Sequence, residues 1–101
     1  MNEFSKKVLT EVKNIPESRV SNYGQIALRA GKSRAAREVG WILNQSDNQD
    51  IPWWRVVNKE DHITFKGSHL FSAHDQILAL KAEGIKIENY RLDIKKYGYK
   101  P

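Results

Sequence analysis

The segment 21–43 constrains the fold more than any other part of the chain. Ser21 and Ser33 each precede a short run whose apolar residues have helical spacing, and serine is a favoured N-cap residue. Gly31 lies between the two runs, where a residue in the left-handed conformation can end the first helix. Two short capped helices joined by a glycine-containing turn are typical of a helix-turn-helix, which the sequence therefore predicts.

Further elements are predicted on both sides of this motif. Apolar residues at spacings of four and three predict an N-terminal helix over 4–15 that Pro16 closes. After a polar loop, the segments 53–57 and 63–65 are predicted to form a small β-hairpin, a wing beside the helices. A further helix is predicted from about Ser72 to a stop at 83–84, and the aromatic tail is predicted to pack back on the domain.

The length of the chain fits one hydrophobic core. A chain of 101 residues buries only about two-thirds of its unfolded surface, too little for two independent cores. We therefore expect one domain over 1–101, mainly α with a small β-hairpin, of the winged helix-turn-helix class. The first fifteen residues interleave Lys and Glu with apolar residues, so we expect neither a signal peptide nor a membrane span.

The net charge of +5, from 17 basic and 12 acidic residues, makes a polyanion the first partner class to consider. A solvated cationic surface would give the same balance, so charge alone does not decide. The chain has no cysteine, which excludes a disulfide framework, a thiolate zinc site and a cysteine nucleophile. His62, His69 and His74 have no recognised metal-ligand spacing, so we expect no metal and no cofactor.

Five stretches point to a known family. They span 15–16, 20–27, 35–40, 51–58 and 83–85 and read IP, VSNYGQIA, AAREVG, IPWWRVVN and EGI. In their order and spacing the chain resembles the DNA-binding domain of the O6-alkylguanine-DNA alkyltransferases over about residues 4–85. The resemblance implies the winged helix-turn-helix fold of the C-terminal domain of those enzymes, and double-stranded DNA as the partner.

The third motif departs from the enzymes, in which it reads Pro-Cys-His-Arg-Val and the cysteine accepts the alkyl group. Trp53 stands at the cysteine position and Trp54 at the histidine position. In this respect the chain resembles the alkyltransferase-like proteins, which bind the lesion without repairing it, and the tail 96–101 is similar to theirs. Such a transfer needs a thiolate, and indole has no comparable nucleophilicity. We therefore expect no catalytic residue and no enzyme.

The resemblance gives the helix-turn-helix residues roles in DNA binding. Arg37 resembles the arginine that takes the place of a flipped nucleotide, and its small neighbours would let the helix approach the wall of the minor groove closely. Tyr23 resembles the tyrosine that presses on the 3′ phosphate of the target. A solvated arginine and a half-buried tyrosine are the ordinary alternatives. The predicted DNA-binding residues are Tyr23, Ser33, Ala35, Arg37 and Gly40.

Two further sets of residues are predicted around the loop 51–58. Trp53 offers an apolar wall for a flipped alkylated base, although a core tryptophan is the alternative. Asn44 resembles an asparagine hinge that follows the third helix, and Glu83 resembles the carboxylate that orients the histidine of the enzymes and can here pair with Arg55. The predicted lesion pocket comprises Tyr23, Trp53, Arg55 and Lys66, and the predicted loop support comprises Asn44, Trp54 and Glu83.

The sequence thus predicts a protein that binds duplex DNA in the minor groove, flips O6-alkylguanine into a pocket and performs no reaction. The resemblance implies a signal to nucleotide excision repair proteins. We expect a monomer in the cytoplasm, associated with the nucleoid in a bacterium, and no membrane partner. Two alternatives stay open: a winged-helix transcription regulator that reads the major groove, and a DNA-repair enzyme with an unrecognised nucleophile.

Overall fold

Three helices share one apolar core in the first half of the chain. The computed structural model describes residues 2–45, 51–58, 63 and 73–100. Helix α1 spans Glu3–Lys13, α2 spans Tyr23–Arg29 and α3 spans Ala36–Gln45. Their apolar faces meet in a first core cluster that includes the fully buried Val8, Ile26 and Val39. The spacing that predicted the helices therefore also identified their buried faces.

The two predicted serine caps are wrong. Helix α2 begins after Asn22, whose side-chain oxygen Oδ1 accepts a hydrogen bond of 2.8 Å from the backbone N–H of Gln25. Ser21 lies in a strand, with its hydroxyl oxygen buried and without a hydrogen-bond partner in the described part of the chain. Helix α3 begins at Ala36, so Ser33 lies exposed in the preceding turn rather than at the cap position.

The turn between α2 and α3 has the predicted glycine conformation. Gly31 adopts a φ of 101°, in the left-handed region that favours glycine. The N–H of Lys32 then donates to the carbonyl oxygen of Ala27 at 2.9 Å, which satisfies a carbonyl near the end of α2. The conformation of Gly31 and this hydrogen bond together fix the angle at which α3 leaves α2.

The small sheet differs from the predicted hairpin. Strand β1 (Ser21–Asn22) pairs in parallel with β2 (Val56–Val57), and Ser21 lies opposite Val56. The first half of the predicted strand 53–57 is instead a 3₁₀ turn, Trp53–Arg55. The other predicted hairpin arm, 63–65, lies outside the described residues apart from Ile63. The mainly helical fold with a small sheet is therefore confirmed, but the described strand partner comes from far along the chain.

The C-terminal residues close a second core cluster against this sheet. Helix α4 spans Ala73–Ala82 and α5 spans Ile94–Tyr97. The cluster includes the buried Val20, Val57, Leu80 and Tyr97. Val20 donates to the carbonyl of Tyr97 at 2.9 Å and accepts from Tyr99 at 2.7 Å, so the tail packs back on the domain as predicted.

The C-terminal end of α4 agrees with the stop predicted at 83–84. Gly84 has a φ of 90° just after the helix, as expected of a helix stop. The predicted start at Ser72 lies outside the described residues.

Across the ranges 2–45 and 73–100, no helix has the length and hydropathy of a membrane span.

A buried carboxylate, Glu83, joins three distant segments. Arg55 donates to it from Nε and Nη2 at 2.8–3.1 Å, and from Nη1 to the carbonyl of Ile15 at 2.9 Å. The indole Nε1 of Trp54 donates to the same carboxylate at 2.7 Å, and the backbone N–H of Ser18 does so at 2.8 Å. The predicted Arg55–Glu83 pair is thus present, and it fixes the loop from inside.

Burial alone would raise the pKa of Glu83, since its side chain is only 7% exposed. The hydrogen bonds from Arg55, Ser18 and Trp54, together with the positive charge of Arg55, outweigh burial and lower the pKa below its ordinary value. The folded state therefore favours the ionised form. Removal of one partner from such a buried pair leaves the other uncompensated, which costs far more than the loss of a surface pair.

We expect Glu83→Gln to lower the free energy of unfolding by about 3 kcal/mol at neutral pH, measured by urea denaturation. Because the pKa of Glu83 is lower in the folded than in the unfolded state, its contribution is complete above the ordinary glutamate value and disappears as the pH falls through the folded value. The variant should therefore lose less stability than the wild type on acidification.

Glu88→Gln is the control, because Glu88 pairs with Lys86 at 3.4 Å on the surface. Such exposed pairs contribute little, so this variant should follow the wild type at every pH. Equal acid sensitivity of the wild type and Glu83→Gln would contradict the assignment.

Candidate nucleic-acid interface

The predicted DNA-binding residues lie on α2, α3 and the turn between them. Arg37 is exposed in the first turn of α3, and Ser33 is exposed in the preceding turn. Tyr23, the first residue of α2, is half-buried and packs against the first core cluster, as does Ala35. The two helices pack directly against each other, which brings these residues onto neighbouring elements.

Tyr23 stands against the middle of α3. A Cβ atom added at Gly40 would lie 3.8 Å from Cε1 of the tyrosine ring. Burial raises the pKa of Tyr23, so its hydroxyl group stays protonated at neutral pH and is available as a hydrogen-bond donor. The Tyr23 ring therefore packs against the core, as the ordinary alternative of a half-buried tyrosine expects. It also lies beside Gly40 of α3.

Gly40 has no evident role in the internal packing of the domain. The 3.8 Å separation from the Tyr23 ring is ordinary van der Waals contact, so an alanine methyl group would fit. Glycine within a helix costs about 0.5–1 kcal/mol relative to alanine. The missing side chain thus weakens the helix and leaves the backbone of α3 accessible from outside.

Two arginines on this surface have no acidic partner among the described residues. Lys32 pairs with Glu38, Arg55 with Glu83 and Lys86 with Glu88. Arg34 and Arg37 are both exposed, and neither forms an ion pair in those ranges. Two exposed guanidinium groups near the side-chain-free Gly40 form a surface suited to a polyanion.

The two tryptophans of the 3₁₀ turn have different surroundings. Their rings meet edge to face, with centroids 6.0 Å apart and planes at 87°. Trp54 packs against the second core cluster and donates to Glu83. Trp53 is half-buried and belongs to neither of the two clusters as they are described. Trp54 thus supports the loop from inside, whereas Trp53 has surface left for contacts outside the core.

Gln76 is a support that sequence reasoning missed. Its side chain is 2% exposed, and its Nε2 donates to the carbonyl oxygens of Trp54 at 3.1 Å and Val56 at 3.0 Å. It therefore holds the end of the 3₁₀ turn and the start of β2. The available signal was its position four residues before the buried Leu80, on the same face of α4.

Arg55 and Asn44 differ from their predicted places. All three nitrogens of Arg55 donate within the protein, which favours the role of a brace over its predicted place in the lesion pocket. Asn44 lies exposed inside the last turn of α3 rather than after it, because the helix continues to Gln45. No hydrogen bond in the described ranges joins its side chain to the loop 51–58.

Two concavities in the described part of the chain are lined by residues other than Trp53. One, of about 350 Å³, lies between β1, α2 and the tail, and its lining includes Asn22, Arg29 and Tyr99. The other, of about 900 Å³, lies within 86–97. Lys66, the fourth predicted pocket residue, lies outside the described residues. The predicted lesion pocket therefore stays a prediction.

The acidic and histidine side chains in the described ranges form no group that could hold a metal ion. His74 is exposed on α4, whereas His62 and His69 lie outside those ranges.

Comparison with known proteins agrees with this geometry. The family model for the DNA-binding domain of 6-O-methylguanine DNA methyltransferase matches residues 3–85. A DNA base-flipping protein from Vibrio parahaemolyticus is 35% identical over 103 residues, which cover all of both chains. Alkyltransferase-like protein 1 from Schizosaccharomyces pombe is 34% identical over all of this chain and 98% of its own length.

Solved structures extend the similarity to the fold. The crystal structure of S. pombe Atl1 in complex with damaged DNA containing O6-carboxymethylguanine matches with a TM-score of 0.86 at 34% identity, over 100% of this chain and 98% of that one. The O6-methylguanine methyltransferase of Mycobacterium tuberculosis matches with a TM-score of 0.71 at 22% identity. This match covers 96% of this chain and 56% of the methyltransferase, and it concerns the fold alone. The predicted winged helix-like fold is thus confirmed. By sequence and by fold, the chain belongs to the family of the 6-O-methylguanine DNA methyltransferase DNA-binding domain and, within it, to the alkyltransferase-like proteins.

Proposed function

We propose that this protein recognises alkylation damage without repairing it. It binds duplex DNA through α2 and α3 in the minor groove and turns an O6-alkylguanine out of the helix. The observation that carries the proposal is the exposed face of α3. There Arg37 has no acidic partner among the described residues and lies near a helical glycine that the internal packing does not need. The whole-chain match to Atl1 bound to damaged DNA supports it.

The dimensions of the minor groove explain why small residues suit this surface. The groove is only about 6 Å wide, so a helix reaches its floor only through a side chain that extends from a backbone close to the groove wall. Ala35 and Gly40, near Arg37, carry only a methyl group and no side chain, respectively. Arg37 then enters the space that the flipped base leaves, while Tyr23 meets the phosphate on the 3′ side.

The loop with Trp53 explains why no reaction follows. Trp53 stands where the resemblance places the alkyl-accepting cysteine, and the chain contains no cysteine at any position. The carboxylate of Glu83, which would orient a histidine in the enzymes, is occupied by Arg55 and Trp54. Neither nucleophile nor base is present, so Trp53 acts as an apolar wall for the flipped base.

A complex that performs no chemistry needs another system to remove the lesion. We infer that the protein works as one domain over 1–101 and as a monomer, in the cytoplasm, and that its bound complex marks the site for nucleotide excision repair proteins. Bent DNA that carries an extruded base differs in shape from normal duplex, and such a difference can be recognised without contact to the lesion itself.

The proposal is tested with two duplexes of one sequence, carrying either guanine or O6-methylguanine, titrated at one stated salt concentration. We expect tighter binding to the damaged duplex, and a radiolabel in the methyl group should stay on the DNA. Equal affinity for both duplexes would favour a sequence-reading regulator. Label transferred to the protein would establish an enzyme with an unrecognised nucleophile.

Gly40→Ala tests the approach of α3 to the groove. The variant should be more stable by about 0.5–1 kcal/mol in urea denaturation, since alanine favours the helix and the methyl group fits beside Tyr23. It should nevertheless bind both duplexes more weakly, because the methyl group keeps α3 from the groove wall.

Thr10→Ala in α1 is the control for Gly40→Ala. Thr10 is exposed on α1, and alanine has the higher helix propensity there too. This variant should gain stability and bind DNA like the wild type. Undiminished binding by Gly40→Ala would show that α3 does not enter the groove closely.

Trp53→Ala tests the lesion wall, with Trp54→Ala as the matched control. Loss of the Trp53 stacking contact should cost about 1–3 kcal/mol of binding to the damaged duplex and leave binding to normal duplex unchanged. Trp54→Ala should instead lower stability by about 3–5 kcal/mol, because it empties part of the second core cluster. Thermal melting and the two DNA affinities distinguish the effects. A large fall in melting temperature for Trp53→Ala, with the lesion preference retained, would contradict its assignment.

A further inference from the structure

A tryptophan stands exposed on the same face of α3 as Arg37. Trp41 is 61% exposed, more than any other large hydrophobic side chain in the described residues. It follows Arg37 by four residues, so the two side chains are neighbours one helical turn apart. The core face of α3 is formed by Val39 and Ile42, and Trp41 takes no part in it.

The ring of Trp41 has no aromatic or cationic partner within the ranges that the structure describes. The cations that lie over aromatic rings there use Tyr99, Phe4, Trp54 and Tyr97. Its surroundings are cationic. Arg37 on the same helix and Arg34 just before it are both exposed and have no acidic partner in the part of the chain that the structure describes. Among the described residues, the indole of Trp41 therefore lies uncovered next to the exposed guanidinium groups of Arg34 and Arg37.

The charge of this surface distinguishes between possible occupants. A second copy of the chain would bring Arg34 and Arg37 of both copies together, and like charges disfavour that contact. Duplex DNA offers phosphates to the arginines and apolar sugar and base faces to the indole. Proteins that bind the minor groove often insert an apolar side chain beside their cations, which unstacks base pairs and bends the duplex.

We propose that Trp41 is a second DNA-contacting residue of α3, an apolar wedge in the minor groove next to Arg37. This inference rests on the proposed function. Four helical residues rise about 6 Å, and base pairs stack about 3.4 Å apart, so Trp41 meets the duplex within about two base pairs of the flipped nucleotide. There it holds the duplex bent while Arg37 fills the gap.

This role predicts effects that differ from those of Arg37 and of Trp53. The wedge touches the duplex and not the alkyl group, so its loss weakens binding to damaged and normal DNA by the same factor. An uncharged side chain displaces no counterions, so the dependence of affinity on salt stays unchanged. The bend is reduced, because the side chain that maintains it is gone.

The test compares Trp41→Ala with the wild type on the guanine and O6-methylguanine duplexes at several salt concentrations. The bend is measured by energy transfer between dyes at the two duplex ends. We expect affinity for both duplexes to fall by about tenfold, the salt slope to stay the same and the end-to-end distance to rise. Trp41→Phe, which keeps an apolar ring, should recover most of the affinity, and thermal melting checks that each variant is folded.

Two further variants serve as a positive and a negative control for DNA binding. Arg37→Ala should weaken binding and lower the salt slope by about one, as expected for one lost cation. Tyr90→Ala removes an aromatic ring that is 59% exposed outside the helix-turn-helix, and it should bind like the wild type.

Wild-type affinity and bend in Trp41→Ala would overturn the inference. A loss confined to the damaged duplex would place Trp41 at the lesion, and a change in sedimentation without a change in DNA binding would place it between copies of the chain. Both results also overturn it. If the wild type binds neither duplex, the proposed function itself fails. If the wild type binds and only Arg37→Ala weakens binding, the wedge alone is wrong.

Discussion

The buried carboxylate of Glu83 is the interaction on which the loop near the DNA-binding surface depends. It accepts hydrogen bonds from Arg55, Trp54 and the backbone of Ser18, and Arg55 also reaches the carbonyl of Ile15. These hydrogen bonds hold the side chains of Trp54 and Arg55 inside the protein. Strand β2 begins at the next residue. The position of Trp53 relative to α2 and α3 is thus set by polar contacts on the opposite side of the loop.

The same network leaves no unpaired charge at Glu83, although Trp54 stands where the resemblance places the histidine of the enzymes. In the enzymes that the chain resembles, this carboxylate orients the histidine. Here the indole of Trp54, at the histidine position, donates to Glu83, and Arg55 supplies the compensating charge. A buried carboxylate with no partner would be costly. The indole N–H of Trp54 therefore gives the carboxylate a hydrogen bond and offers no base, which agrees with the proposed recognition without reaction.

Local patterns predicted the helices and the return of the tail, because apolar periodicity reports burial directly. They failed where two candidates are chemically alike or where the partner is distant. Asn22 and Ser21 are both good caps, and only the pairing of Ser21 with Val56 in the sheet decides between them. The buried role of Gln76 depends on a carbonyl group twenty-two residues away. Trp41 gave no signal, because one exposed aromatic residue is ordinary until its neighbours on the helix face are known.

The two clusters also differ in how far along the chain their contacts reach. The first comes mostly from 4–42, whereas the second depends on pairings as distant as Val20 with Gly98. Contacts between distant residues form late, since the entropy of closing a long loop must be overcome first. We therefore expect α1 to α3 to assemble before the sheet and the tail. A chain caught partway through folding would already present a positive helical face, yet would have no fixed loop with which to examine a base.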